Sequence, residues 1–195
     1  MENLTPASVP NGETEVATFG ISNVTDVLAG GATSLQNAEN DIAAIVLAAD
    51  ASAYTIMAMP SSDTTYSEDI VFWGSGIVNY SDVVQNLVAQ ADPGSVPRQS
   101  GAIWFVNSAS AGSNVAITNQ GSGASGTDGG WTRFGLQFAD TPNAGNATFI
   151  NEGGLVSGTE FGGTTDLFSY STAEAATFIN QPGVVDGAAA GHTLL

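Results

Sequence analysis

The side chains that could perform acid, base or metal chemistry are few in this chain. The only histidine is His192, so a zinc site built on several histidines is excluded, and a Ser-His-Asp triad would depend on this one position. Its equivalent in the preceding repeat unit is Gly163, which predicts an exposed turn position without a catalytic role. Cysteine is absent, so the chain offers neither a disulfide nor a thiolate ligand.

A pair of acids is the best candidate for proton transfer or calcium binding. Asp128 and Glu160 occupy the same slot in two successive units, SGTD and SGTE. Stacked units would bring the two carboxylates close together, as in polysaccharide-cleaving enzymes and calcium sites. The next slot falls near Ala188 or Ala189, so the ladder of acids does not continue. We therefore predict a solvated acidic face.

Basic and calcium-binding motifs are equally scarce. Lyases and sugar-binding clefts generally need a cation, and Arg98 and Arg133 are the only basic residues. Residues 123–129 (GASGTDG) loosely resemble a calcium-binding nonapeptide, but there is one copy, with Gly130 where a large apolar residue is expected. We therefore predict that the chain has no catalytic, cofactor-binding or metal-binding residues and is not an enzyme. A structural module stabilised by calcium stays an alternative.

Aromatic and amide side chains form two further sets. Trp73, Trp104 and Trp131 could build a carbohydrate-stacking platform, although buried strand aromatics or exposed cap residues are the favoured interpretation. Asn151 and Asn180 are predicted to stack at corners, where they would satisfy one another and the turn backbone.

These residues lie in a chain that repeats itself from Ser100 onwards. Three segments end alike: residues 116–121, 147–154 and 176–183. Their asparagines, at 119, 151 and 180, lie 32 and then 29 residues apart, and an aromatic residue precedes each by 14, 13 or 12 residues. These aromatics are Phe105, Phe138 and Phe168. Each unit is too short to fold alone and must stack on its neighbours.

The whole chain contains 24 glycines, and its units of about 30 residues carry short apolar runs. Together these features predict an all-β chain. We expect a parallel β-helix (β-solenoid), with Phe149 stacked on Phe178, Asn151 on Asn180, and Ile150 or its neighbour facing inward. A β-sandwich is the competing fold, but its strands have no reason to repeat the same turn residues at equal spacing.

Further strand candidates lie before the regular repeats and at their start. They are residues 16–19, 42–47, 54–59, 70–73, 76–79 and 103–106. Residues 35–53 also fit one face of a helix, but two short strands and a corner are favoured. We expect an extended segment over 1–12, degenerate coils over 13–99 and regular repeats over 100–195, as one continuous solenoid. Because residues 191–193 match 162–164, the chain is predicted to stop within a unit and to belong to a longer protein.

Charge excludes several partner classes. There are 19 acidic residues against two basic ones, for a formal charge of −17. Such a surface repels nucleic acid and anionic lipid headgroups. No apolar run approaches the ~20 residues of a membrane span, and the first residues lack the basic and apolar regions of a signal peptide.

Several motifs, taken in their order along the chain, resemble the β-strand-repeat proteins that are similar to bacterial autotransporter passengers. They are residues 9–12 (VPNG), 17–20 (ATFG), 23–27 (NVTDV), 51–56 (ASAYTI), 74–79 (GSGIVN), 107–112 (NSASAG), 143–151 (NAGNATFIN) and 171–180 (STAEAATFIN). The chain departs from the pattern at 42–47, which lacks a glycine-containing strand start, and at 181–183 (QPG).

This resemblance implies a right-handed parallel β-helix, exposed on or released from a bacterial cell, without catalytic residues to carry over. We therefore expect a non-enzymatic stalk, surface-display or adhesion segment, associated with the bacterial outer membrane through regions outside this chain. Its expected partners are an extracellular glycan or surface protein and neighbouring repeats of the same chain, and no cofactor is expected. The alternative is a β-helical module that binds or degrades polysaccharide.

Overall fold

The computed structural model describes residues 41–47, 55–58, 70–94, 100–159 and 161–195. These residues contain eleven strands and no helix. The strands are β1 (Asp41–Leu47), β2 (Thr55–Ala58), β3 (Ile70–Asn79), β4 (Gln85–Ala89), β5 (Ala102–Phe105), β6 (Val115–Asn119), β7 (Trp131–Phe134), β8 (Thr148–Asn151), β9 (Thr164–Leu167), β10 (Thr177–Asn180) and β11 (His192–Leu194).

The strands alternate between two sheets along the chain. The odd-numbered strands form a six-stranded sheet in the order β1-β3-β5-β7-β9-β11, and the even-numbered strands form a five-stranded sheet in the order β2-β4-β6-β8-β10. Every neighbouring pair is parallel. Each coil of the chain thus adds one strand to each sheet. The predicted parallel β-solenoid is confirmed, and the sandwich is excluded because sandwich sheets are antiparallel.

A third side of each coil is marked by single bridges. Four residues pair in succession as single parallel bridges: Gly76, which lies within β3, and Ser110, Asn143 and Thr172, which lie between strands. Gly76 has a φ of 82°, and a Cβ atom there would lie 2.1 Å from the carbonyl oxygen of Ser110. Glycine is therefore required where the neighbouring coil approaches this backbone.

The predicted stacking of side chains between coils is confirmed. β8 and β10 pair Phe149 with Phe178 and Asn151 with Asn180. The phenylalanine rings lie 5.1 Å apart at an interplanar angle of 16°. Phe149 is fully buried, whereas Ile150 is only partly buried on the outward side. The inward residue is therefore the neighbour of Ile150.

Phenylalanine rings form the centre of the core. Phe105 stacks on Phe72 at 4.9 Å and on Phe134 at 4.7 Å along the six-stranded sheet. Phe134 then meets Phe149 of the opposite sheet edge to face, at 5.6 Å and 78°. Offset stacking and edge-to-face contacts each add about 0.5–1.5 kcal/mol beyond burial of apolar area. The ladder thus joins the two sheets as well as successive coils.

The predicted alignment of Phe105 with Phe138 is wrong. Phe105 pairs in register with Phe134, which in turn pairs with Leu167. Phe138 is 83% exposed in the loop that follows β7. This loop, from Phe134 to the bridge at Asn143, is longer than the matching loops in the neighbouring coils. Counting back from Asn151 across this longer loop therefore reaches Phe138, although Phe134 is the residue that aligns with Phe105.

Most of the strand candidates that lie in the described residues are confirmed. The bounds of β1, β2 and β5 agree with the candidates to within one residue at each end. The helix alternative is wrong over 41–47, because these residues form β1. The candidates 70–73 and 76–79 form a single strand, β3. The pairing of β1 with β3 shifts its register between Ile42 and Ala44. The candidate at 16–19 lies outside the described residues.

Candidate functional site

The outer face of the six-stranded sheet carries a row of chemically distinct side chains. Trp104 on β5, Arg133 on β7 and Asp166 on β9 are register partners on three successive coils. Successive side chains of a strand point to opposite faces. Burial of Phe105 and Phe134 in the core therefore places these three residues on the outer face.

Arg133 is held by aromatic and acidic partners together. Its guanidinium carbon lies 4.0 Å from the ring centroid of Trp131 and 5.1 Å from that of Trp104. Its Nε and Nη2 atoms each lie 2.8 Å from Oδ2 of Asp166. The two indole rings are 6.0 Å apart. We call Trp104, Trp131, Arg133 and Asp166 the tryptophan–arginine cluster.

The contacts within this cluster limit what Arg133, the single arginine among the described residues, can bind. A guanidinium over an indole face gains about 0.5–2 kcal/mol, depending on its exposure. Arg133 is about one quarter exposed and Asp166 about one eighth. Because Asp166 already neutralises Arg133, the cluster is not arranged to hold an anionic ligand.

A cavity of about 320 Å³ lies beside the cluster. Three ring-bearing side chains line it: Trp131, Phe161 and His192. The rings of Phe161 and His192 are 5.7 Å apart. Ser100, Asp128 and Thr164 also line it. We call this cavity the tryptophan pocket.

The register of the coils builds the pocket wall. Trp131, Thr164 and His192 are register partners in β7, β9 and β11. The Oγ1 of Thr164 lies 3.4 Å from Nε2 of His192. The indole Nε1 of Trp131 is buried and has no hydrogen-bond acceptor among the described residues. An unpaired buried donor costs about 1–3 kcal/mol, which the contacts of the Trp131 ring with Arg133 and Trp104 must offset.

The predicted position of His192 is wrong by one residue. His192 is the first residue of β11 and pairs with Thr164, while Gly191 takes the place of Gly163. A Cβ atom at Gly163 or Gly191 would lie about 2 Å from a carbonyl oxygen of the opposite sheet. These glycines therefore fix the register, and His192 lies in a strand beside the pocket rather than in a turn.

The structure separates the other sequence candidates. Asp128 lines the tryptophan pocket, whereas Glu160 and Arg98 lie outside the described residues, so their predicted roles stay predictions. No group of three or more metal-binding side chains occurs in the part of the chain that the structure describes. In residues 123–129, Gly126 adopts a φ of 71° within a turn.

The three tryptophans do not form one platform. Trp104 and Trp131 belong to the tryptophan–arginine cluster. Trp73 is 39% exposed and does not stack on Trp104, because the register partner of Trp104 in β3 is Val71, two residues before Trp73. The contacts of Arg133 with Asp166 were not predicted from the sequence. The spacing WxR, with an acid one coil later, is the signal that could have located them.

The asparagine ladder is confirmed, but its predicted place at a turn is wrong. Asn119 and Asn151 are fully buried at the ends of β6 and β8. Asn151 Oδ1 also accepts a hydrogen bond from the Oγ1 of Thr165, in the opposite sheet, at 2.9 Å. The same contact joins Thr132 to Asn119 at 2.7 Å. Threonines that follow the asparagines by about half a coil thus complete an internal polar ladder.

A second surface feature lies beyond the ends of β7 and β9. Phe138 and Phe168 contact each other with ring centroids 6.3 Å apart. Leu136 and Tyr170 are also exposed there. We call these four residues the aromatic corner. Contact between exposed apolar rings, shown here for Phe138 and Phe168, is a feature of surfaces that bind other molecules.

Comparison with protein-family models, with curated proteins and with solved structures finds no match. Within the described residues, no helix is long and apolar enough to cross a membrane.

Proposed function

We propose that this chain is a non-enzymatic segment of a secreted or cell-surface bacterial repeat protein, of the autotransporter-passenger type, which extends and displays adhesive surfaces. The observation that supports this proposal is the coil-on-coil pairing that continues from β1 to β11 in one sheet and from β2 to β10 in the other. Backbone hydrogen bonds along one axis make such a stack a stiff support.

The side chains support display more than catalysis. Asp166 is bound to Arg133, and Asp140 accepts hydrogen bonds from the backbone N–H groups of Leu136 and Gln137 at 2.7 and 2.9 Å. These acids are engaged in structure. The tryptophan pocket and the aromatic corner lie at the surface on rigid coils, where they can contact an extracellular glycan or a surface protein.

Binding without turnover is the result that distinguishes this function. The purified chain would be tested on a glycan array and on immobilised extracellular matrix, with and without calcium, and any bound glycan would be analysed for new reducing or unsaturated ends. We expect retention of the chain and no product. Release of product would contradict the proposal, and absence of binding would reduce it to a spacer role.

The alternative is a β-helical module that binds or degrades polysaccharide. The observation that favours binding is the tryptophan pocket, in which Trp131, Phe161 and Asp128 line the same cavity. Degradation would further need a free acid and base at the bound glycan. Product analysis separates these two forms of the alternative.

A further inference from the structure

We propose that the tryptophan pocket binds a neutral pyranose ring of an extracellular glycan. This inference rests on the proposed adhesive function and names the ligand class of one surface. It combines three properties of the pocket: its rings and polar groups, the charges around it, and the rigidity of the strands that form it.

The pocket has the chemistry that a sugar ring requires. A pyranose presents C–H groups on its faces and hydroxyl groups at its edge, so it contacts aromatic rings and polar groups together. Trp131 and Phe161 supply aromatic surface, and Phe161 is 50% exposed although it is a large apolar side chain. Asp128 also lines the pocket and is exposed, and a carboxylate can accept several hydrogen bonds at once. The volume of about 320 Å³ is at the small end of ligand sites, which suits one or two rings.

Charge excludes anionic sugars from this pocket. The chain has a formal charge of −17, and Asp128 itself lies in the wall. A uronate or sulfate group would need a cation, but both the Nε and the Nη2 of Arg133 are 2.8 Å from Asp166. An anionic ring would therefore meet Asp128 and the net negative charge of the chain, while Arg133 is already paired with Asp166.

Charge also disfavours a cationic ligand at the indole. The guanidinium of Arg133 already lies 4.0 Å from the ring centroid of Trp131. A second cation on this indole would be repelled by Arg133 at short range. A neutral ring avoids both penalties, because its hydroxyl groups bind carboxylate and hydroxyl oxygens without adding charge.

One side of the pocket lies on paired strands. Trp131, Thr164 and His192 lie on three strands that are hydrogen-bonded in register. A Cβ atom on Gly130, the residue before Trp131, would lie 1.9 Å from the carbonyl oxygen of Ala89, so the backbone there is held against the opposite sheet. Sites on such rigid elements lose little conformational entropy on binding.

Ligand-detected NMR tests the proposal with defined probes. Methyl glucoside, methyl galactoside and methyl mannoside are the neutral probes, with glucuronate and glucosamine as anionic and cationic comparisons. We expect saturation transfer to at least one neutral methyl glycoside, weaker transfer to both charged sugars, and little change between low and moderate salt. No transfer to any neutral probe at millimolar concentration, or preference for either charged sugar, would overturn the proposal.

A matched pair of variants locates the binding. Phe161→Ala removes a ring from the pocket, and Tyr80→Ala removes a ring that is 52% exposed just after β3 and belongs to neither surface. We expect about tenfold weaker sugar binding for Phe161→Ala and no change for Tyr80→Ala, with both variants folded by circular dichroism. Equal affinity in the two variants would overturn the pocket assignment. Continued adhesion of Phe161→Ala to matrix would then leave the proposed function standing, whereas release of sugar products would contradict the function itself.

Discussion

Asn119 donates a hydrogen bond from Nδ2 to Oδ1 of Asn151, 2.8 Å away and 32 residues later in the chain. Asn151 repeats the contact with Asn180 at 2.8 Å. Asn119 and Asn151 are fully buried, while Asn180 is exposed. The same contact between amide side chains thus occurs once in the interior and once at an exposed residue. Comparing the two positions measures how burial changes the contribution of the contact to stability.

Replacement of Asn151 by alanine should be far more damaging than the same change at Asn180. Asn151→Ala removes the amide between two coils and leaves the hydroxyl of Thr165 without its acceptor in the interior. We expect a loss of about 2–4 kcal/mol in the free energy of unfolding, against less than about 1 kcal/mol for Asn180→Ala. Urea unfolding measures both. Similar losses would show that burial of the ladder does not determine its contribution.

The glycines that fix the register should not tolerate a side chain. A Cβ atom at Gly163 would lie 1.9 Å from the carbonyl oxygen of Asn119, whereas at Gly123 the nearest atom would be 3.9 Å away on Leu155. We expect Gly163→Ala to cost more than about 2 kcal/mol, because backbone must move, and Gly123→Ala to be nearly neutral. Thermal unfolding of the two variants checks this. A stable Gly163→Ala protein would contradict the close approach of the two sheets.

The ion pair of the tryptophan–arginine cluster should show measurable coupling. A double-mutant cycle with Arg133→Ala and Asp166→Ala should give a coupling free energy of about 1 kcal/mol, which falls as salt is added, because both side chains are partly exposed. Arg133→Lys should restore only part of the loss, since an ammonium cannot stack flat on Trp131. Zero coupling at low salt would mean that Asp166 does not hold Arg133 in solution.

Stability should fall in acid through Asp140. Burial by itself raises the pKa of Asp140, but backbone hydrogen bonds from Gln137, Leu136 and Asn107 lower it, and the net pKa lies below its ordinary value. A depressed folded-state pKa contributes stability that is present above the unfolded pKa of about 3.9 and is lost as pH falls through the folded value. Asp140→Asn should therefore be less stable than the native chain at pH 7, and the difference should shrink below about pH 4. A constant difference from pH 7 to pH 2 would exclude this role.

Duplication of one coil should lengthen the molecule without unfolding it. A second copy of residues 120–151, inserted after Asn151, would begin and end at equivalent positions of the ladder. We expect the long axis to grow by one strand spacing, about 4.8 Å, and stability to stay equal or rise. Small-angle scattering and urea unfolding measure these quantities. A compact or destabilised product would argue against independent stacking of coils and hence against an extending segment.

The period of the sequence predicted contacts along the stack. Equal spacing of Phe149 and Phe178, and of Asn151 and Asn180, placed each pair at the same position in successive coils. Parallel pairing followed, because only stacked coils return the same residue to the same place. The period could not predict the alignment of Phe138 or the exact register of His192, because loops of unequal length separate these two residues from the repeated motifs.

The sequence by itself thus determined the fold class, the length of the repeat and the neighbours along the axis, because these depend on periodicity. Only the tertiary structure decided which residues meet across the coil. Thr165 bonds to Asn151, 14 residues away, and the tryptophan pocket joins Asp128 and Phe161 to strands of successive coils. Such contacts depend on how each coil closes and where its glycines let the two sheets approach, which the length of the repeat does not specify.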